Sequence, residues 1–172
     1  MQLSIQEQQP LTAANFATAP TRIASARPAL TADLMAKTGL DEAILTRLVH
    51  GFYDKVRIDP LLGPIFAAHI TDWVPHLDRM VAFWSSVALM TGRYHGAPMP
   101  RHLPLPVEAA HFARWLALFR TTAHEVCPPE GAAHVIERAE RIAASIHMNI
   151  EDARAEFGRT QTPPRLWPKG SS

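Results

Sequence analysis

Apolar residues in this chain recur at spacings of three and four. After Asp41, a good N-cap, Ile44, Leu45, Leu48, Val49, Phe52 and Val56 fall on one face of a predicted helix. Tyr53 lies four residues after Val49 and three before Val56, so it belongs on or beside that buried face, where its hydroxyl needs a partner. Asp59-Pro60 reads as a cap followed by proline at the first helical position, opening a short helical turn through Phe66 whose length Gly63-Pro64 limits. A further helix, with Pro75 in its first turn, is predicted to about Met90; His76, Met80, Phe83 and Val87 share one side, and Gly92 ends it. Val107 to about Val126 carries Phe112, Trp115, Leu116, Phe119 and Ala123 on one stripe and stops at Pro128-Pro129. The last predicted helix, about Glu130 to Phe157, is marked by Val135, Ile136, Ala139, Ile142, Ala143, Ile146 and Ile150, with Gly158 at its end. A short helix, Ala32 to Lys37, is predicted between a Thr31 cap and Gly39. No β-branched alternation competes, so the fold class is all-α: a compact helical sandwich around a cavity, or a plain bundle.

Residues 1–30 are rich in Gln, Ala, Thr and Pro without steady periodicity and read as a disordered N-terminal extension. The folded unit is expected over 31–157, followed by a disordered tail, 158–172. Composition narrows the function classes. A formal charge of +1 without a Lys/Arg block argues against nucleic acid as a partner. No stretch reaches the roughly 20 apolar residues of a membrane span, and the N-terminal residues lack the pattern of a signal peptide, so no membrane association and a cytoplasmic location are expected. Cys127 is the single cysteine, which excludes an internal disulfide and any Cys-Cys zinc pair.

The unusual stretch is Thr91 to Phe119. Prolines 98, 100, 104 and 106 fix their own backbone angles and bias the residues before them towards extended conformations, so no ordinary helix is expected there. His102 is therefore presented from a stiff, irregular segment, as a metal or cofactor ligand requires and as any tight surface turn also provides. The nine histidines show none of the familiar metal spacings. Tyr53, His76, Phe83 and Trp115 come from three predicted helices, each on or beside an apolar stripe, and His102 is displayed between two of those helices. These residues describe either a polar-tipped core or a pocket with a histidine floor and two hydrogen-bond donors above it. From pattern alone, a cofactor-free helical interaction module is also open.

The segments FYDKVRIDPLLGPIF (52–66), DWVPHL (72–77), FW (83–84), YHGAPMPRHLPLP (94–106) and HFARWLALF (111–119), in this order and spacing, resemble the truncated haemoglobins, specifically the group III branch. The resemblance covers about Leu40 to Phe157, and the Gly-Gly motifs of the other two groups are absent. It implies a shortened globin, a two-over-two helical sandwich around haem b. His102 then aligns with the proximal iron ligand, Tyr53 and Trp115 with distal donors, and His76 with the distal histidine that gates the pocket. Phe83 supplies an apolar wall, and Arg79 or Arg101 meets a haem propionate.

The implied ligands are oxygen, nitric oxide and carbon monoxide. A gas polarised by iron carries partial negative charge, and hydrogen bonds to it contribute about 1.5 to 3 kcal/mol each. Two donors imply slow oxygen release, which fits oxygen transport less well than retention. The alternative is a redox enzyme, a nitric oxide dioxygenase or a peroxidase-like activity, with a reductase as partner.

Overall fold

A computed structural model describes residues 25–160. Most of the expected N-terminal extension and C-terminal tail, residues 1–24 and 161–172, lies outside the described residues. Within them are seven helices and no strand: α1 (Pro28–Thr38), α2 (Glu42–Ile58), α3 (Gly63–His69), α4 (Trp73–Leu89), α5 (Met99–His102), α6 (Ala109–Val126) and α7 (Pro129–Thr160). None is long and apolar enough to cross a membrane. The helices α2 and α4 form one pair and α6 and α7 the other; α2 crosses onto α6, giving the two-over-two sandwich.

The boundaries follow local chemistry. Asp41 caps α2 by accepting a 2.7 Å bond from the Ile44 N–H, and the apolar face beyond it is buried from Leu45 through Val56. Asp72 caps α4 through the Val74 N–H. Several expectations change. The first helix begins at Pro28, because proline's fixed φ and missing N–H suit the opening turn. Thr31 thus lies inside α1 and caps a different helix, its hydroxyl donating to the Leu89 carbonyl at the end of α4 (2.8 Å). Gly63-Pro64 opens α3 rather than limiting a turn, for the same reason of a proline at a helix start, while Asp59 accepts from the Leu61 and Leu62 N–H groups in the preceding turn.

At the other end of α4, Met90 takes the left-handed C-cap conformation (φ 56°), two residues before the expected stop at Gly92. Gly158 does not end α7, since a single glycine costs only about 1 kcal/mol in a helix and the neighbouring turns carry Arg154–Glu151 and Arg159–Glu156 pairs. The proline-rich segment also contains a turn of helix, α5. Pro98 occupies its N-cap and Pro100 its second position, where no N–H is needed by an intrahelical partner.

The core centres on Leu45, Leu48, Val49, Phe52, Phe119 and Val135, all within 1% of full burial. Aromatic packing carries through it: Trp115 and Phe119 stack at 5.2 Å, and Phe119 stacks on Trp84 at 4.7 Å. A smaller cluster, Val107, Ile146 and Ile150, holds α7 against the α5 segment, with Met99, Leu105, Phe112 and Ile142 packed on it.

Candidate functional site

His102 is the last residue of α5 and is half-buried, so a helical turn presents it, contrary to the irregular segment expected from its prolines. Its Nδ1–H donates to the Pro98 carbonyl at 2.7 Å, four residues back along the turn. A carbonyl can only accept, so Nδ1 carries the ring proton. The lone pair then lies on Nε2, which has no protein partner among the described residues. An imidazole whose other nitrogen is engaged by a backbone carbonyl has its tautomer and ring orientation set for coordination.

Tyr53 on α2 is 6% exposed, and burial pushes its phenol well above the ordinary range, so it remains a donor at any physiological pH. Its ring meets His76 edge-on at 5.1 Å and 87°. His76 Nε2 is buried without a hydrogen-bond partner, the one such side-chain atom among the described residues. Burial, then the charge of Arg79, lowers the pKa of His76 and favours the neutral ring. Trp73 closes the group, lying edge-on to both His76 (5.7 Å) and Tyr53 (5.9 Å) beneath the Arg57 guanidinium (4.7 Å).

Tyr53 and His76 are thus in direct contact, whereas Trp115 joins them only through Phe52, which is edge-on to Tyr53 at 5.0 Å and to Trp115 at 5.1 Å. Neither the Tyr53 hydroxyl nor the Trp115 indole N–H makes a protein hydrogen bond among the described residues. Phe83 lies further along α4, edge-on to Tyr94 (5.2 Å). Tyr94 lines a cleft of about 300 Å³ with Arg79, Arg93, His95 and Arg101. The cleft brings Arg79 of α4 to the neighbour of His102 on α5. No direct contact joins His102 itself to Tyr53, His76 or Trp115.

The sequence model of the bacterial-like globin family matches residues 33–148. The group 3 truncated haemoglobin of Campylobacter jejuni is 34% identical over 110 residues, 61% of this chain and 87% of that protein. The chain belongs to the truncated haemoglobins, in their group III branch. The crystal structure of the group III truncated haemoglobin from Campylobacter jejuni matches with a TM-score of 0.61 at 33% identity, covering 64% of this chain and 91% of that one. A truncated, oxygen-avid haemoglobin from Bacillus subtilis matches with a TM-score of 0.54 at 27% identity, covering 63% and 94%. As a truncated haemoglobin the protein is a haem globin, a class that binds small gaseous ligands.

Sequence reasoning missed three residues in this truncated haemoglobin: Trp73, Arg57 and Tyr94. Trp73 could have been found, since it lies three residues before His76 and the two share a helix face. Arg57 and Tyr94 reach the site from separate segments, and nothing in their spacing announces it.

Proposed function

We propose that this truncated haemoglobin holds haem b through His102 and binds oxygen, nitric oxide and carbon monoxide reversibly. Tyr53 and Trp115 are the donors to the bound gas, and His76 stands beside Tyr53. The observation that carries this reading is the His102 ring: Nδ1–H is tied to Pro98 and Nε2 is left with its lone pair and no protein partner. The remaining residues fit the same group. His76 Nε2 is buried and unsatisfied, which costs about 1 to 3 kcal/mol unless something else at the site meets it. In the cleft, Arg79 and Arg101 suit propionate carboxylates, whereas Arg93 is already paired with Glu42. Met80, Phe83 and Val87 on α4, and Met99 and Phe112 from the proximal side, are only partly buried, as apolar walls of an occupied site would be.

Haem, held through His102, would supply an iron that binds and polarises a small gas. The protein does the rest. Pro98 holds the Nδ1 proton of His102 and so keeps Nε2 basic. The Tyr53 Oη–H and Trp115 Nε1–H donate to a polarised gas without first breaking a protein hydrogen bond. Phe83 and its apolar neighbours exclude water. Arg79 and Arg101 anchor the carboxylates at the cleft. Two unspent donors favour retention of oxygen, in keeping with the oxygen-avid description of the Bacillus subtilis neighbour.

Purified protein supplied with haem should show a Soret band and a stable oxygenated ferrous spectrum. A folded, colourless protein without haem affinity refutes the reading. The same retention makes a redox role in nitric oxide or peroxide chemistry the second reading. Steady-state nitric oxide or peroxide consumption in the presence of a reductase separates turnover from binding alone.

A further inference from the structure

His76 keeps its position without a hydrogen bond at Nε2, so packing alone must hold its ring. Two rings do so. Tyr53 and Trp73 each stand at 87° to the imidazole, at 5.1 and 5.7 Å. Tyr53 is sealed in the core, which leaves Trp73 as the partly exposed side of the clamp. Side chains on a helix lean towards its N-terminus, so the His76 ring lies over the preceding turn, where Trp73 stands three residues earlier. Trp73 is the first residue of α4, beside the Asp72 cap, and only one helical turn fixes its backbone. Its ring is held from outside by Arg57, near the end of α2, whose guanidinium covers the indole face.

We propose that Trp73 and Arg57 form a latch on the distal histidine: Trp73 blocks the outward swing of the His76 imidazole, and Arg57 pins Trp73 to the end of α2. Both are positioning residues: Arg57 acts through Trp73, and Trp73 acts through His76 and through its edge contact with Tyr53. The inference rests on the reading of His76 as the distal residue. Opening the latch requires the indole to leave both Arg57 and the two ring edges it packs against. Entry of a gas is therefore governed by a contact between α2 and α4 rather than by His76 alone.

Two measurements test this. In the first, the histidines are carbethoxylated with diethylpyrocarbonate and the rate at His76, mapped by peptide mass spectrometry, is divided by that at exposed His50 and His124. The expected ratio rises about two- to fivefold in Arg57→Gln, the loss of one exposed cation–π contact. It rises more than about tenfold in Trp73→Ala, where the ring edges are lost as well. Trp73→Phe, which keeps a ring there, should fall between wild type and Trp73→Ala. In the second, carbon monoxide association is followed in the haem-loaded protein. His76→Ala should accelerate it in the wild-type background and do little in Trp73→Ala.

Arg57 is exposed, so Arg57→Gln keeps the test sound even if Trp73→Ala does not fold. An unchanged labelling ratio in Arg57→Gln, or effects of Trp73→Ala and His76→Ala that simply multiply, overturns the latch. Absence of a Soret band in the wild type would instead refute the proposed function, and the labelling ratio reads out without haem.

Discussion

Tyr53→Phe separates a functional hydroxyl from a structural one. In the protein the Tyr53 ring is held on four sides, by Phe52, Phe66, Trp73 and His76 at centroid distances of 5.0 to 5.9 Å, and phenylalanine keeps all four contacts. The hydroxyl makes no protein hydrogen bond among the described residues, so its removal leaves no buried partner stranded. The expected change in unfolding free energy is below about 1 kcal/mol, because the usual penalty of such a deletion comes from the abandoned partner. The effect on a bound gas should be far larger. A lost hydrogen bond to a partly charged acceptor is worth about 1.5 to 3 kcal/mol, which is about tenfold to 150-fold in rate. Stopped-flow displacement of oxygen by carbon monoxide should show oxygen leaving faster by that factor, while urea unfolding midpoints stay together. An unchanged oxygen dissociation rate refutes Tyr53 as a donor, and a drop in stability of several kcal/mol refutes the idea that its hydroxyl has no structural partner.

Trp115→Phe should likewise speed oxygen release, and its effect combined with Tyr53→Phe measures how far the two donors share one acceptor. Only 1% of the Asp59 side chain is exposed, and its Oδ2 accepts from Arg114 Nε–H at 2.6 Å. Burial pushes its carboxyl up, but the Leu62 N–H, the Arg114 hydrogen bond, the Leu61 N–H and the Arg114 charge together outweigh this and hold it below the usual range. The stabilisation is therefore present above the unfolded carboxyl's pKa and is lost as pH falls through the lower folded value. Asp59→Asn should cost about 1 to 2 kcal/mol at pH 7, allowing for the half-exposed arginine, and the gap to wild type should close on acidification in urea titrations. Gly131→Ala should destabilise by about 1 to 3 kcal/mol, because a Cβ there would stand 2.8 Å from the Thr38 carbonyl and 2.7 Å from Leu40 Cδ2; a neutral result would show that α1 and α7 can separate freely.

The helices that matter most were legible because their signals are local. The α2 stripe, the Asp41 cap and the placement of Tyr53 beside the buried face all follow from spacing, and the two-over-two arrangement follows from the family resemblance. Prolines misled where their position within a turn decides their effect. The same residue that breaks a helix interior opens one at Pro28, Pro64 and Pro100, so α1 began early, α3 began where a stop was expected, and His102 came to lie on a helical turn.

The stripe His76, Met80, Phe83 and Val87 was visible as one side of α4. The fully buried face is instead Val81, Trp84, Ser85, Ala88 and Leu89, and periodicity cannot tell a face that meets the core from one that flanks a site. The bond from His102 to Pro98, the orphaned nitrogen of His76 and the Arg57–Trp73 contact depend on ring orientation and on elements distant in sequence, and no residue pattern encodes them.

The central claim is that the His102 imidazole holds the haem. Replacing it with glycine opens a space of imidazole size, and haem affinity can then be titrated by absorbance with and without added imidazole. Coordination by His102 predicts that His102→Gly loses haem or binds it weakly with an altered Soret band, and that free imidazole restores both. A variant that keeps wild-type affinity and an unchanged ferrous spectrum without imidazole would contradict it.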